Sequence, residues 1–286
     1  LVSSSAASDV YKRQGWRKAA KRVFVKKFKN GKNSDAKDIL KQKTFLQNRG
    51  FGFKEIESVF GNDMLWFNAM SYEVLARKYR PANFEEVIGQ DHVVKALINS
   101  IESEKIHQAF IFSGTRGVGK TTIARILAKC LNCESGTKPT SKPCNKCSNT
   151  TEITAGRSVD FLEIDAASNT QVEKIRDLIE TVEYKPAKGR YKIFLIDEVH
   201  MLSTASFNAL LKTLEEPPPH VVFIFATTNP EKIPKTVQSR CLQLNLKTVN
   251  EEMLNNHLNQ ILQKEKIKHD DESIQLISKS ANGSVR

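Results

Sequence analysis

The sequence predicts an α/β fold on a mostly parallel sheet, and three features carry that expectation. Apolar runs of strand length alternate with stretches of helical spacing from residue 109 onward. One of these runs leads into a glycine-rich turn that opens a helix, Gly114-Thr115-Arg116-Gly117-Val118-Gly119-Lys120-Thr121. Another ends in a pair of carboxylates, Asp197-Glu198. Strands separated by helices imply βαβ units, which pair in parallel.

Taken in order, strands are expected at Ala109–Phe112, Phe161–Ile164, Ile193–Ile196, Val221–Ala226 and Leu242–Leu246. Helices are expected at Thr121–Leu131, Val172–Val182 and Ser206–Leu214. Pro217-Pro218-Pro219 stops the last of these, because proline lacks the amide that a helix needs. After Lys247 the strands cease. Glu251–Gln263 and Glu272–Ser280 read as amphipathic helices, the start of a small helical domain cut short at Arg286.

The segment before residue 70 has another character. Leu1–Gln14 is rich in Ser and Ala, aperiodic, and reads as an assembly scar. Gly15–Leu65 is basic, with helical spacing in Ile39, Leu40, Phe45 and Leu46. Its stretch KTFLQNRGFGFKEIESVF (43–60) faintly resembles the C-terminal repeat of RecX-type regulators; the plainer reading is a basic helical extension. Met70-Ser71-Tyr72-Glu73 reads as a natural start. The expected organisation is therefore an unrelated or non-native extension over 1–69, a nucleotide-binding core over 70–247 with a Cys-rich insert at 130–150, and a truncated helical lid over 248–286.

Bulk charge is less informative than it first looks. The 286-residue chain carries a formal net charge of +12. Residues 1–69 hold 15 Lys and Arg against 6 Asp and Glu, whereas the remainder holds 29 against 26. The main body is near neutral, so any nucleic-acid contact there needs a local basic face. No apolar run reaches the roughly 18–20 residues of a membrane span, and no secretory signal is evident. A cytoplasmic protein without a membrane partner is expected, with its five cysteines reduced.

The glycine-rich turn fits G-x-x-x-x-G-K-[ST] between a strand and a helix, the context that a phosphate-binding loop requires. Residues Gly114 through Thr122 are the candidate ATP contacts. Glycine lets the backbone approach phosphate closely, and the helix N-terminus presents amide groups to it. Lys120 neutralises the β/γ-phosphates and Thr121 ligates Mg²⁺. Asp197 is placed to support the same Mg²⁺, and Glu198 to orient or deprotonate the attacking water. His200 has two readings, a coupling of the site to DNA or a packing role.

Cys130-x2-Cys133 and Cys144-x2-Cys147 are separated by ten residues. Two Cys pairs in a reducing compartment suggest tetrahedral Zn²⁺. Pro143 and a spacer rich in Gly, Ser and Lys suit a surface knuckle. Cys241 reads as structural.

Longer strings carry a resemblance. YEVLARKYRPANFEEVIGQ (72–90), FSGTRGVGKTTIARILAKCLNC (112–133), FLEIDAASNTQVEKIRDL (161–178), YKIFLIDEVHMLSTASFNALLKTLEEPP (191–218) and FATTNPEKIPKTVQSRCLQ (225–243) are similar to the bacterial DNA polymerase III gamma/tau clamp-loader subunits. The likeness runs from Met70 to Arg286. It implies an AAA+ ATPase core followed by a helical lid. It also implies that Thr228 contacts the γ-phosphate region and that Arg240, in Ser239-Arg240-Cys241, reaches the ATP of a neighbouring subunit. Arg286 would touch nucleotide from the lid. Tyr79-Arg80-Pro81 and Val87-Ile88-Gly89 would line the adenine pocket. The family's zinc module matches Cys133, Cys144, Cys147 and the position of Thr150, where a neutral hydroxyl departs from the pattern. Cys130 is the candidate replacement, or else a core residue. The implied function is ATP-driven loading of a sliding clamp onto primed DNA by a hetero-oligomeric ring. The alternatives are another AAA+ motor, such as a branch-migration helicase subunit, or a basic nucleic-acid-binding regulator.

Overall fold

The computed structural model describes residues 19–28, 36–49, 51, 56, 59, 74–168 and 172–286, except the side chains of 36, 37, 40 and 172–174. The chain divides into two compact units, Leu1–Lys78 and Tyr79–Arg286. In the first, residues 19–27 are helical, as are Ala36–Asn48 and Leu75–Lys78. Ala20, Phe24, Leu46, Phe51, Ile56 and Val59 form a small apolar core there. The RecX-like stretch at 43–60 lies partly outside the described residues, and the expected start at Met70 lies wholly outside them.

The second unit is built on five parallel strands. They are β1 Ala109–Ser113, β2 Phe161–Asp165, β3 Lys192–Asp197, β4 Val221–Thr227 and β5 Leu242–Asn245, in the order β2-β3-β4-β1-β5. The helices are α1 Asp91–Glu102, α2 Lys120–Asn132, α3 Ser148–Ala155, α4 Val172–Val182, α5 Thr204–Glu215, the short α6 Lys235–Gln238, α7 Glu251–Lys264 and α8 Asp271–Ser280. The expected strands and longer helices all form, with ends shifted by a residue or two. Three helices were not anticipated: α1, α3 and α6. The signal for α1 was present, since Val93, Leu97 and Ile101 recur every fourth residue and are its buried face. In α3 the buried side chains are mostly polar, so no apolar stripe marks it.

The alternation of each strand sorts side chains into two apolar layers. Phe110, Phe112, Ile193, Leu195, Val222, Ile224 and Ala226 pack with α1 and α2 on one face. Ala109, Ile111, Phe194, Ile196, Val221, Phe223 and Phe225 pack with α4 and α5 on the other. Every residue of β1 and β4 is buried, because helices cover the sheet on both sides. The edge strands β2 and β5 alternate buried or half-buried with exposed positions. Phe194 and Phe223 stack at 5.3 Å, and Phe223 and Phe225 at 6.0 Å. Each such ring contributes roughly 1.5–3 kcal/mol by leaving water.

The polypeptide after β5 stays attached to this sandwich. The fully buried Gln90 side chain brackets Lys247, donating to its carbonyl at 2.6 Å and accepting from its amide at 3.0 Å. Asn250 caps α7 and Asp270 caps α8, each side chain accepting from the amide three residues on. At the far end of α7, Glu265 accepts from the Tyr79 hydroxyl at 2.7 Å. Among the described residues no helix is long and apolar enough to cross a membrane.

Candidate functional site

The strand order dictates which chain segments meet. β4 lies between β1 and β3, with Ser113 beside Thr227 and Ile196 beside Phe225. The loop after β1, the carboxylates after β3 and Thr228 after β4 therefore emerge together at the C-terminal edge of the sheet. This is where ligands bind in open parallel sheets.

The loop 114–119 turns the chain from β1 into α2. Gly114 has φ +150°, and a Cβ there would lie 2.7 Å from the Leu246 carbonyl oxygen. Gly117 has φ +85°, and a Cβ would collide with Ser284 Oγ. Both positions thus require glycine, one to pass β5's exit and the other to admit the lid. The side chain of Val118 is buried in the core, so only its backbone can face a phosphate. Thr115 and Arg116 are exposed, and Thr121 and Thr122 are half-buried in the first turn of α2.

Lys120 reaches back over the loop. Its Nζ donates to the carbonyls of Gly114 at 2.8 Å and Thr115 at 2.9 Å. Burial lowers its pKa, while Glu198 and Asp197 favour the charged form. Thr121 Oγ1 donates to Asp197 Oδ2 at 3.0 Å, closing the loop onto the end of β3. Asp197 Oδ1 accepts from the Glu198 amide at 2.9 Å. Glu198 itself adopts φ +47°, a left-handed conformation that is costly for a residue with a Cβ. Its Oε2 accepts from Thr228 Oγ1 at 3.2 Å and lies 3.4 Å from His200 Nδ1. His200 Nδ1 also lies 3.0 Å from Thr227 Oγ1, so this histidine packs into the strand ends.

The lid completes the rim. The Val285 amide donates to the Gly117 carbonyl at 3.0 Å, and the Arg286 amide donates to Ser284 Oγ at 3.3 Å. The structure thus brings Lys120, Thr121, Asp197, Glu198, Thr228 and the Ser284–Arg286 segment around one loop. The donor chemistry fits a nucleotide with Mg²⁺: a cation and helix amides for phosphate, and two hard oxygens 3.0 Å apart for the metal. A Cβ at Gly119 would meet nothing within 4 Å, which leaves space over the start of α2.

Comparison with known proteins follows the same outline. A family profile described as "DNA polymerase III, delta subunit" matches residues 89–250, more than half of the chain. A second, described as "DNA polymerase III clamp loader subunit, ATPase lid domain", matches residues 253–286. The chain is 58% identical over 217 residues to DNA polymerase III subunit tau of Salmonella typhimurium, covering 76% of this chain and 34% of that protein. The chain belongs to the DNA polymerase III gamma/tau clamp-loader family. It is also 58% identical over 217 residues to subunit tau of Escherichia coli, covering 76% of this chain and 33% of that protein. To subunit gamma of Buchnera aphidicola subsp. Schizaphis graminum it is 56% identical, covering 76% and 59%. It thus spans about a third of the length of the two tau relatives. Among solved structures, the Thermotoga maritima RuvB Holliday junction branch migration motor superposes with a TM-score of 0.54 at 20% identity, covering 73% of this chain and 62% of that one. At that identity the likeness establishes the fold alone.

Two further groups lie away from the phosphate loop. Cys133, Cys144 and Cys147 bring their sulfurs within 4.8 Å of one another. Backbone amides of Cys144 and Cys147 donate to the sulfurs of Cys133 at 3.3 Å and Cys144 at 3.4 Å. Burial alone would raise the Cys133 pKa, but hydrogen bonds from Cys144 and Ser135 overcome it and lower the value. Cys130 does not join them. It is fully buried in the core, its thiol faces the Ser141 carbonyl at 3.7 Å, and burial pushes its pKa up to about 12. The structure does not bring it to the other three: among the described residues the cluster of sulfurs is Cys133, Cys144 and Cys147. Thr150 is wholly buried beside the cluster, with Oγ1 3.2 Å from Cys147 Sγ, and Ser135 Oγ lies 3.0 Å from Cys133 Sγ. Three soft thiols fit a metal such as zinc; the fourth position does not supply a thiolate.

Arg240 sits after α6, about one-third exposed. Its guanidinium pairs with Glu215 at 2.6 Å and donates to the Thr236 carbonyl at 2.5 Å. Glu215 was missed from sequence, although it lies at the end of α5, just before the Pro run.

Proposed function

We propose that this chain binds and hydrolyses ATP as a subunit of a DNA polymerase III clamp loader. The observation that carries the catalytic part is the Thr121–Asp197 contact at 3.0 Å, which joins the phosphate loop to the acidic strand end. In this reading Gly114 to Thr122 cradle the triphosphate, and Lys120 leaves its two carbonyl partners to neutralise the β/γ-phosphates. Thr121 and Asp197 would hold Mg²⁺, which supplies charge neutralisation at the phosphate oxygens when bound. Glu198 accepts a proton from water as the water oxygen bonds to the γ-phosphorus and the bond to the bridging oxygen breaks. Thr228 holds the Glu198 carboxylate in place, and Arg286 meets the nucleotide from the lid.

Arg240 acts in trans, at the ATP of an adjacent subunit in a hetero-oligomeric ring. The ring opens a sliding clamp and places it on primed DNA in the cytoplasm. The support is the likeness to the gamma and tau subunits of DNA polymerase III. The Cys133, Cys144 and Cys147 cluster holds a zinc ion in the same reading.

The test has two arms. Nucleotide binding by this chain should require Lys120, measured by titration of a fluorescent ATP analogue. Clamp loading should be measured with a longer chain assembled with partner subunits, clamp and primed DNA. Nucleotide binding indifferent to Lys120→Ala would overturn the site. A fully ATP-competent assembly that never loads a clamp would overturn the biological role.

A further inference from the structure

We infer that the cysteine cluster of this chain is a three-thiol site that favours three-coordinate thiophilic ions, trivalent arsenic among them, over tetrahedral zinc. The inference rests on the same metal-binding reading of the cluster and refines which ion it suits. The argument begins with the fourth corner. Tetrahedral zinc takes four donors, and structural sites of this kind use Cys or His at each. Here Cys133, Cys144 and Cys147 converge, with all three sulfurs within 4.8 Å of one another. The side chains against these sulfurs are hydroxyls, Ser135 at 3.0 Å from the Cys133 sulfur and Thr150 at the Cys147 sulfur.

Thr150 is not poised as a ligand. Its hydroxyl lies 3.2 Å from the Cys147 sulfur and 3.1 Å from the Cys147 carbonyl, which accepts from it. A hydroxyl has one proton to donate, and here it is spent on Cys147 itself. The side chain is 0% exposed, so it fills the corner it occupies. Cys130, the other thiol nearby, is fully buried and faces the Ser141 carbonyl. The chain thus presents three soft donors, and among the described residues no fourth thiolate joins them.

Softness selects thiophilic ions, and coordination number then decides among them. An ion that completes its shell with three sulfurs loses nothing at the Thr150 corner. Trivalent arsenic is such an ion, because a lone pair stands where a fourth ligand would be. Binding balances without redox change. Arsenous acid, As(OH)₃, exchanges three As–O bonds for three As–S bonds, and each thiol proton leaves with a hydroxide as water. The backbone amides that already point at the sulfurs of Cys133 and Cys144 support the sulfur-bound product.

The experiment uses the full chain, reduced and freed of metal, with arsenous acid and Zn²⁺ as separate probes. Arsenic binding is read by thiolate–arsenic ultraviolet absorption and by the number of thiols still titratable in the folded protein. One arsenic should mask three thiols, and Cys144→Ser should abolish this while Cys241→Ser leaves it intact. Thr150→Cys should raise zinc affinity by at least about 100-fold, a ligand counting for no less than its supporting shell. The same change should leave arsenic affinity within a few-fold. Thr150→Val, which keeps the shape and removes the hydroxyl, should alter neither ion's binding strongly. Circular dichroism checks that each variant folds. Zinc bound equally tightly by the natural chain and Thr150→Cys would overturn the inference while leaving the zinc reading standing. Arsenic masking without zinc binding would support the inference and sink the zinc reading. Fewer than three thiols masked, or loss of arsenic binding in Thr150→Val, would overturn the inference whatever zinc does.

Discussion

The Arg240 guanidinium is paired with Glu215 of its own chain, with 2.6 Å between Nη2 and Oε1. Both side chains are partly exposed, and an exposed ion pair of this kind is worth about 0–1 kcal/mol. A guanidinium delivered to a transferring phosphoryl group is worth roughly 10³–10⁵ in rate. The second interaction far outweighs the first, so Glu215 can hold Arg240 ready without holding it back. In an assembled ring, Arg240→Ala should leave ATP affinity nearly intact and cut ATPase by roughly 10³. Mixing Arg240→Ala with Lys120→Ala subunits should restore part of the activity, because some interfaces then pair an intact pocket with an intact arginine. Full activity of isolated Arg240→Ala subunits would rule out action in trans.

Lys120→Ala and Glu198→Gln should separate binding from turnover. The first removes the cation facing the phosphates, so ATP affinity should fall below detection in equilibrium titration. The second keeps the hydrogen-bonding shape but loses the base. ATP should still bind, and hydrolysis should fall by roughly 10²–10⁴. If Glu198→Gln instead lost binding and kept turnover per bound nucleotide, the division of roles would be reversed.

Phe223 lies fully buried between Phe194 and Phe225 in the middle strand of the sheet. Phe223→Ala should destabilise the chain by about 3–5 kcal/mol, measured by denaturant unfolding. A loss below about 1 kcal/mol would mean that the layer collapses around the missing ring.

Asp160 makes a different kind of contribution. It is buried just before β2, and its carboxylate accepts from the amides of Ala187, Lys188 and Gly189 at 2.7, 2.8 and 2.7 Å. Hydrogen bonds to a charged group are worth about 1.5–3 kcal/mol each, and orphaned buried amides add to the cost. Asp160→Ala should therefore cost at least about 3 kcal/mol, with Asp160→Asn milder because it keeps one acceptor. Equal losses for both variants would assign the effect to packing rather than to amide capture.

Much of this was legible in the residues. The phosphate loop and Asp197-Glu198 are local signals, because glycine, lysine and paired carboxylates mark their backbone context by themselves. The three central strands were legible because β1, β3 and β4 are covered on both faces and read as unbroken apolar runs. Glu215 was not, since its meaning depends on Arg240, 25 residues away in sequence. Asp160 was equally silent, because its partners are backbone amides that any residue supplies. The role of Cys130 was undecidable from spacing, which gives distance along α2 but not the direction of the thiol. Resemblance assigned Thr228 and Arg240 their places; the geometry added what each touches.

The cysteine insert is fastened at its base by something other than its thiols. Arg190 donates to the carbonyls of Leu131, Cys133, Gly136 and Thr137, and Asn132 receives the amides of Arg190 and Tyr191 at 3.0 and 2.9 Å. This knot sits where α2 ends and β3 begins, so it is anchored to the sheet on one side and to the phosphate-loop helix on the other. These bonds involve backbone carbonyls and amides and no thiol, so they do not require an ion at the cysteines. The insert's attachment to the sheet is therefore independent of the ion its thiols hold.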